Sequence, residues 1–455
     1  MPEIEFSLRD FCHPVAIARL GRAFTRHLHE PHEAWQAWRD ARLCETVAAA
    51  GRCPFWRERF AAAGVAPSNL RTAADLRRLP LLRKEEVRAG GAALHADDAE
   101  RHRARPSFTS GTTGHPVPFL VDRHARVLEF VYYRRHWGLA GFRLGQRFAQ
   151  LNAQHFLRRG MGERVAHWQP HLRRLMLNSA ALRRDNVHDY LAAMRAHRIR
   201  FLKGLASPLF WLAELATERQ LPVPPLAALF STGENLVPAR RARIEHAFAA
   251  RVLDSYGLLE QAASIFECPA GGQHVNSDYA LHEFVPTEFR TPDGSPLHAI
   301  VGTTLHNRSM PLLRYDVGDL VELLPAGARC RCAIPLPLVK AVHGRTEDAV
   351  VTPDGRCVTA LFVVPDEVPG VAGVQFLQDD PLHLRIRVVP TAEFDAARER
   401  EFIAFAQQLV GPALRITLER VAADGLKRGP TGKVPLVLSV VPRARAVAGG
   451  SEFAP

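Results

Sequence analysis

The sequence lacks the long apolar segments that membrane proteins need. No stretch of about 20 consecutive apolar residues occurs in the chain of 455 residues, which argues against a membrane span. The segment Met1–Asp10 carries acidic residues and no apolar core of the kind that marks a signal peptide. Low-complexity runs and internal repeats are also missing. We therefore expect a cytoplasmic globular protein, long enough for more than one domain.

Concentrated positive charge is missing as well. The formal net charge is +12 and the sequence pI is about 9.8, a balance that can mark a nucleic-acid binder. The basic residues are nevertheless mostly arginine and are spread along the whole chain, with no compact basic tract interleaved with aromatics. This distribution favours solvated basic faces over a nucleic-acid interface.

Cysteine is scarce, and the count of seven is odd. An odd number in a cytoplasmic-looking chain argues against a disulfide framework. Cys330 and Cys332 are too close for an ordinary disulfide, and Cys268 and His274 precede them in the same strand-rich unit. Three thiols and one imidazole form a tetrahedral ligand set for a structural zinc ion, with no position left open for water. Free cysteines and a surface histidine are the alternative.

The predicted secondary structure changes along the chain. The first hundred residues or so are predicted to be helical, because apolar residues recur there at helical spacing. Between Ser107 and Tyr256, short apolar runs alternate with longer amphipathic segments, for example strands at 227–231 and 252–256 around a helix at 238–250. That alternation indicates an α/β layered domain. From His282 to Leu338 strands dominate, with turns at Pro292–Gly294 and Pro325–Gly327.

A smaller unit follows Gly344. Strands at 382–389 and 414–421 enclose a helix at 392–409, which is typical of a small α+β domain. The fold class is therefore α/β, with a large multi-subdomain body and a small C-terminal domain. The predicted boundaries are 1–345 for the body (strand-rich at 264–340), 346–445 for the small domain and 446–455 for a tail.

The run Ser107-Phe-Thr-Ser-Gly-Thr-Thr-Gly-His-Pro116 is the sharpest local feature. Its glycines allow a tight turn that exposes several N–H groups, and its hydroxyls add further donors, so the loop can surround phosphate oxygens. It lacks the Gly-Lys-Ser/Thr ending of a Walker loop. The alternative is a plain surface turn. The predicted phosphate-binding residues are Thr109, Ser110, Gly111, Thr112, Thr113 and Gly114.

This loop resembles the phosphate-binding loop of the adenylate-forming superfamily, which holds acyl-CoA ligases, adenylation domains and luciferases. Five further segments resemble family motifs and follow in the family's order: 231–235 (STGEN), 254–260 (DSYGLLE), 314–319 (RYDVGD), 344–348 (GRTED) and 429–433 (GPTGK). His115 stands where the family usually has lysine, and Leu259 where it often has threonine. The stretches 52–60, 79–84 and 303–315 are similar to the phenylacetate–CoA ligase and CapK-like branch.

The resemblance implies roles for individual residues. Tyr256 would lie against the adenine, Glu260 would bind Mg²⁺ through a hard carboxylate oxygen, and Asp319 would hold the ribose hydroxyls. Arg345 would lie near the ribose and the α-phosphate, and Glu347 would be the hinge to the small domain. Lys433 would stabilise charge between the acid and the α-phosphate. The remaining implied nucleotide-binding residues are Ser231, Thr232, Gly233, Glu234, Asp254, Ser255 and Gly257.

By the same resemblance, the protein would activate a small, aromatic carboxylic acid with ATP and Mg²⁺ and transfer the acyl group to coenzyme A. Delivery to a carrier protein, an amine or another nucleophile, AMP transfer to a hydroxyl, and an inactive nucleotide-binding scaffold remain alternatives. We expect a monomer or homodimer that engages neither nucleic acid nor membrane. Candidate residues of the acid pocket are Tyr132, Tyr133, Trp137, Phe142, Asn152 and His155.

Overall fold

The computed structural model describes residues 14–108, 118–345, 350–427, 434–441 and 452–453, apart from 153, 158, 237, 292, 354–356, 359–360, 362–363, 365–367 and 369. Its helices are α1 Pro14–Arg26, α2 Gln36–Ala50, α3 Pro54–Ala62, α4 Lys84–Gly90, α5 Arg123–Leu139, α6 Gln154–Leu157, α7 Val187–Ala196, α8 Ala206–Glu218, α9 Pro238–Phe248 and α10 Ala396–Val410. None of these helices is long and apolar enough to cross a membrane.

The strands follow in chain order. The first are β1 Arg105–Phe108, β2 Pro118–Val121, β3 Phe148–Leu151, β4 Ala166–Gln169, β5 Arg174–Leu177, β6 Phe201–Gly204, β7 Ala228–Thr232, β8 Val252–Gly257, β9 Ser264–Glu267 and β10 Gln273–Val275. The others are β11 Ala280–Arg290, β12 Pro296–Thr304, β13 Tyr315–Leu323, β14 Leu338–Arg345, β15 Val350–Val351, β16 Cys357–Val358, β17 Val371–Asp380, β18 His383–Pro390, β19 Arg415–Arg420, β20 Val437–Ser439 and β21 Glu452–Phe453.

One long sheet organises the body of the protein, in the order β21-β11-β12-β13-β14-β10-β9-β8-β7-β6-β3-β5-β4. Its strands β5, β3, β6, β7 and β8 are mutually parallel, and α7, α8 and α9 pack their apolar faces on them. Parallel strands are covered on both faces, which explains why β7 reads as an apolar run and is buried nearly throughout. The predicted α/β layer is confirmed here, with ends within two residues of the predicted ones.

The strand-rich segment continues the same sheet in antiparallel fashion. Strands β11, β12, β13 and β14 form consecutive antiparallel pairs, and β14 joins the parallel half through β10 and β9. Part of the helical N-terminus also docks here. The N–H of Leu82 donates to the Arg314 carbonyl at 2.8 Å, and the Leu82 carbonyl accepts from the Asp316 N–H at 2.9 Å. These bonds hold the start of β13 in place.

A separate sheet in the order β19-β18-β17-β20 occupies the end of the described chain. Helix α10 covers it, with Phe402 and Ala406 fully buried against Phe376 and Ile386. The Asp395 carboxylate begins this helix, because it accepts hydrogen bonds from the N–H groups of two residues of the first turn at 2.9 Å. The expected small α+β arrangement is confirmed, whereas the domain boundaries remain a prediction.

Candidate functional site

The carboxyl ends of β7 and β8 bring together two of the predicted nucleotide segments. Ser231 lies opposite Asp254 and Thr232 lies opposite Ser255, and the Ser255 hydroxyl donates to the Ser231 carbonyl at 3.1 Å. The Thr232 hydroxyl is buried and has no hydrogen-bond partner among the residues that the structure describes. Ligands of parallel α/β sheets bind beyond the carboxyl ends of the strands. A buried polar atom without a partner at this edge is consistent with a ligand-binding position.

Tyr256 and Asp319, which come from separate motifs, meet directly. The Tyr256 hydroxyl donates to Asp319 Oδ2 at 2.7 Å, although 63 residues separate the two in sequence. Asp319 is 6% exposed, and Arg345 lies opposite it in the register of β13 and β14. The predicted adenine-stacking residue, the predicted ribose carboxylate and the main chain of Arg345 therefore lie side by side.

Asp254 adjoins a fixed ion pair. Its N–H donates to Glu267 Oε2 at 3.1 Å, and Arg241 reaches the same oxygen at 2.6 Å. Burial raises the pKa of the Asp254 carboxyl to about 7, and Glu267 adds to the rise, whereas the Ser231 hydroxyl and Arg241 oppose it. Asp254 therefore changes its charge near neutral pH, while Arg241 compensates the charge of Glu267.

The predicted magnesium ligand lies in the turn between β8 and β9. Glu260 is buried, as is Leu259 before it, so the position that often carries threonine in the family contributes apolar packing here. Gln261 follows with a left-handed backbone (φ 58°), which is uncommon for a residue other than glycine. The turn is thus tightly constrained where Glu260 projects from it.

The four residues predicted to bind zinc converge at one place. The Sγ atoms of Cys268 and Cys330 lie 3.5 Å apart, and His274 Nε2 lies 3.1 Å from Cys332 Sγ. All four ligand atoms are within 4.8 Å of one another. His274 Nδ1 donates to the Leu336 carbonyl at 3.3 Å, which leaves the Nε2 lone pair facing the thiols. Backbone anchoring of this kind typically orients a metal-binding histidine.

The donor set fits a zinc ion. Zn–S bonds of about 2.3 Å in a tetrahedron place ligand atoms roughly 3.8 Å apart, close to the spacing found here. Burial lowers the pKa of His274, with the Leu336 carbonyl opposing it, and this direction favours the neutral form that a metal ligand needs. The backbone is also adapted to the cluster, since a Cβ at Gly272 would lie 2.6 Å from Cys330 Sγ. The sequence analysis predicted correctly that these four residues lie close together.

Three of the candidate acid-pocket residues are occupied in packing. Tyr132 contacts the edge of Tyr279 with ring centroids 4.6 Å apart. Trp137 stacks on Phe230 at 5.0 Å and meets Phe142 edge-on at 5.3 Å, within a buried aromatic cluster. Tyr132 and its neighbour Tyr133 point in different directions because successive residues of a helix are rotated by about 100°.

The other three lie elsewhere. Asn152 and His155 follow β3, where Asn152 Oδ1 accepts from the His155 N–H and the His155 ring contacts His167 Nδ1, both at 3.0 Å. Tyr133 lies beneath Lys203, whose Nζ is 4.3 Å from the ring centroid. Tyr133 also packs against the cluster of Trp137 and Phe142. The six candidates therefore fall into three environments, and their joint role in one pocket remains a prediction.

A polar cluster that the sequence analysis did not single out lies between these groups. Glu129 accepts a hydrogen bond from the Tyr279 hydroxyl and another from Gln261 Nε2, the latter at 3.5 Å. Burial raises the pKa of Glu129, and the charge of Lys203 and hydrogen bonds from Tyr279, Gln261 and Tyr133 oppose the rise. A sequence signal existed, since Glu129 lies one helical turn before Tyr133 on the same face of α5.

A closely packed recess, with no room for a water molecule, borders this cluster. Its walls are formed by Ala125, Leu128, Gln261, Tyr279, His306 and Asn307. It is too narrow to hold a substrate acid unless its walls move.

The predicted phosphate loop 109–114, the predicted hinge residue Glu347 and the predicted catalytic residue Lys433 all lie outside the described residues, as does His115.

Comparisons with known proteins agree with this reading of the motifs. No protein-family model matches the chain. It is 25% identical over 354 residues to phenylacetate–coenzyme A ligase of Thermus thermophilus, which covers 75% of this chain and 76% of the relative. The protein CapK of Staphylococcus aureus is 21% identical over 337 residues, which covers 71% of each chain.

The fold is shared with a solved enzyme of this kind. 2-Hydroxyisobutyryl-CoA ligase, crystallised in its postadenylation state with 2-HIB-AMP, superposes with a TM-score of 0.64 at 21% identity over 91% of both chains. Sequence and fold comparisons point the same way: the chain is similar in sequence to phenylacetate–CoA ligase and CapK, and it shares its fold with 2-hydroxyisobutyryl-CoA ligase.

Proposed function

We propose that the protein activates a small, aromatic carboxylic acid with ATP and then transfers the acyl group to coenzyme A. In the first step, a carboxylate oxygen of the acid attacks the α-phosphorus of ATP. The bond between the α-phosphorus and the bridging oxygen breaks, and pyrophosphate leaves with the electron pair. In the second step, the thiolate of coenzyme A attacks the acyl carbon and AMP leaves, so a thioester forms.

The contact between Tyr256 and Asp319 is the observation that carries this proposal. A ribose held by Asp319 would place its adenine over the adjacent Tyr256 ring, with the turn after β7 on the other side. Asp319 is hydrogen-bonded and buried, so its position is fixed before the nucleotide arrives. Preorganised groups of this kind lose little entropy when the ligand binds.

The chemistry itself needs positioning and charge neutralisation, and we assign no nucleophilic side chain. The loop 109–114 would hold the β- and γ-phosphates through N–H and hydroxyl groups. Glu260 would hold the magnesium ion, which offsets charge on the triphosphate. Lys433 and Arg345 would approach the reacting carboxylate and α-phosphate, where negative charge accumulates in the transition state.

We further propose that residues 346–445 form a lid that pivots at Glu347. In one orientation it would present Lys433 for adenylation, and in the other it would withdraw this lysine and open a path for the thiol. Such hinge motions are a common means of separating two half-reactions on one active site. The Cys268, His274, Cys330 and Cys332 cluster would hold a structural zinc ion, because four protein ligands leave no open coordination position.

The test is ATP–pyrophosphate exchange with a panel of aryl and short aliphatic acids. Acid-dependent exchange is expected in the wild type, with a loss of several orders of magnitude in Lys433→Ala because the charge at the α-phosphate is no longer stabilised. Lys427→Ala is the matched control, since Lys427 is an exposed lysine of the same domain. Full exchange in Lys433→Ala would refute the catalytic assignment, and thioester formation with coenzyme A, followed by mass spectrometry, tests the second step.

A further inference from the structure

Glu260, the predicted magnesium ligand, lies inside a short turn that Gln261 closes. The N–H of Gln261 donates to the Leu258 carbonyl at 3.1 Å, so Glu260 lies between the two ends of this hydrogen bond. Gln261 has a left-handed backbone with φ of 58°. Such a conformation costs a residue other than glycine about 1–3 kcal/mol, and it persists only where surrounding contacts impose it. The position of Glu260 therefore depends on what holds Gln261.

The side chain of Gln261 connects this turn to α5. Its Nε2 donates to the Ala125 carbonyl at 3.0 Å and to Glu129 Oε2 at 3.5 Å, and these two acceptors lie one helical turn apart. Gln261 is 5% exposed, so solvent does not compete for the bonds. The start of α5 is itself fixed, because the Asp122 carboxylate accepts from the Ala125 N–H at 2.8 Å. The amide of Gln261 thus sets the turn relative to a well-anchored helix.

Glu129 is in turn held by several partners besides Gln261. The hydroxyl of Tyr279, directly before β11, donates to its carboxylate. Tyr133 also donates to it, and the charge of Lys203 on β6 attracts it. Since these partners come from different elements, the carboxylate cannot move without breaking contacts to each of them. It is engaged by the fold itself, as expected of a group that supports another residue.

Backbone packing fixes the chain on the other side of the turn. Ala262 and Ala263, which directly follow Gln261, are fully buried. A Cβ at Gly302 of β12 would lie 1.9 Å from the Ala262 carbonyl oxygen, so the main chain after the turn rests directly on that strand. The turn is therefore held against β12 by its backbone and against α5 by the side chain of Gln261.

We propose that Gln261 and Glu129 are positioning residues that hold the carboxylate of Glu260 where it binds magnesium. Residues that orient a metal ligand commonly contribute about 10–100-fold to metal affinity or activity. In this arrangement neither residue touches the nucleotide or the acid. Glu129 fixes Gln261, and Gln261 fixes the turn. The inference rests on the proposed function, because Glu260 is a magnesium ligand only within it.

The experiment replaces Gln261 by glycine, which keeps the left-handed backbone without strain and removes the amide. The Mg²⁺ concentration for half-maximal ATP–pyrophosphate exchange should rise at least about 10-fold, whereas kcat at saturating Mg²⁺ should change by less than about 3-fold. Gln220→Gly is the matched control, since Gln220 is exposed and also left-handed, with φ of 51°. Gln261→Asn, whose shorter amide does not reach the Ala125 carbonyl, should show the same rise if the glycine variant does not fold. A merely structural role would lower the melting temperature and leave the Mg²⁺ dependence unchanged.

Binding of Mn²⁺ in the presence of a non-hydrolysable ATP analogue, followed by electron paramagnetic resonance, makes the same comparison without turnover. Weaker Mn²⁺ binding in both Gln261→Gly and Glu260→Gln, with no exchange in the wild type, would uphold the positioning role and refute adenylation. A changed metal dependence in Glu260→Gln alone would refute the positioning role and leave adenylation standing. An unchanged metal dependence in Glu260→Gln would refute the magnesium assignment and this inference with it.

Discussion

The cysteine–histidine cluster and the proposed nucleotide site at the ends of β7 and β8 differ in how many of their polar groups already have partners. In the cluster, four ligand atoms already face one another within 4.8 Å, and the His274 ring is anchored to a carbonyl. At the strand ends, the Thr232 hydroxyl and the acceptor of Gln261 are buried without partners in the residues described. The difference is that the described residues supply a complete set of metal ligands in the cluster, whereas they leave buried polar groups without partners at the strand ends.

The largest effect is expected from removing a ligand of the cluster. Cys330→Ser, or prolonged chelation, should lower the free energy of unfolding by on the order of 3–5 kcal/mol, because metal-binding energy is folding energy. Thermal melts together with metal analysis of unchelated protein measure this. Cys44→Ser is the control, since this half-exposed cysteine is not part of the cluster. Purified protein without zinc, or an unchanged melt in Cys330→Ser, would contradict the assignment.

Changes at the proposed nucleotide site should weaken ligand binding and leave the stability of the fold nearly unchanged. Asp319→Asn is expected to weaken ATP binding by about 10–100-fold, the value of a hydrogen bond to a charged group, with little loss of stability. Tyr256→Phe removes the hydroxyl that makes the bond of 2.7 Å and should weaken binding by less than about 10-fold. Calorimetric titration with ATP measures both. If both variants bind ATP like the wild type, the site lies elsewhere.

A glycine substitution sharpens the comparison further. Gly272→Ala would place a Cβ 2.6 Å from Cys330 Sγ, so the cluster must shift at a cost of about 1–3 kcal/mol and zinc affinity should fall. Gly162→Ala is the matched control, since no atom lies within 4 Å of its Cβ position. Competition with a chromogenic chelator reports the affinity. Equal zinc retention in the two variants would show that the tight backbone at Gly272 is not required.

The smallest expected effect is a pH dependence at Asp254. Its pKa is about 7 in the folded protein, against 3.8 for an unperturbed aspartate side chain, so the fold favours the neutral form. The stability that this provides is complete below pH of about 4 and is lost as the pH rises towards 7. Asp254→Asn should therefore gain stability relative to the wild type between pH 5 and 8, on the order of 1 kcal/mol. If the melting temperatures of the variant and the wild type change in parallel across this pH range, the prediction is wrong.

Local patterns in the sequence were sufficient for much of the fold. The apolar runs of β7 and β8 and the amphipathic α9 were predicted within two residues, because each pattern depends on its own periodicity. The Cys-x-Cys pair with an earlier cysteine and histidine was sufficient to predict the cluster. A site that depends on a few residue types at short spacings in the sequence can be predicted without a structure.

Contacts between distant segments could not be predicted in the same way. Nothing in the sequence indicates that Tyr256 and Asp319 share a hydrogen bond, because this depends on the register of strands far apart in the chain. Two of the predicted acid-pocket residues, Trp137 and Phe142, pack in a buried aromatic cluster, and the polar cluster around Glu129 was not singled out from the sequence. Side chains on one helix look alike in sequence until their neighbours on other strands are known.

Strand β14 connects the cluster to the residues around Asp319. The strand begins two residues after Leu336, whose carbonyl anchors His274, and ends at Arg345, opposite Asp319. Eight extended residues measure roughly 26 Å, and the strand pairs with β10 at its start and with β13 along its length. A zinc ion bound as proposed would therefore fix the start of the strand whose end places Arg345 opposite Asp319, the proposed ribose ligand.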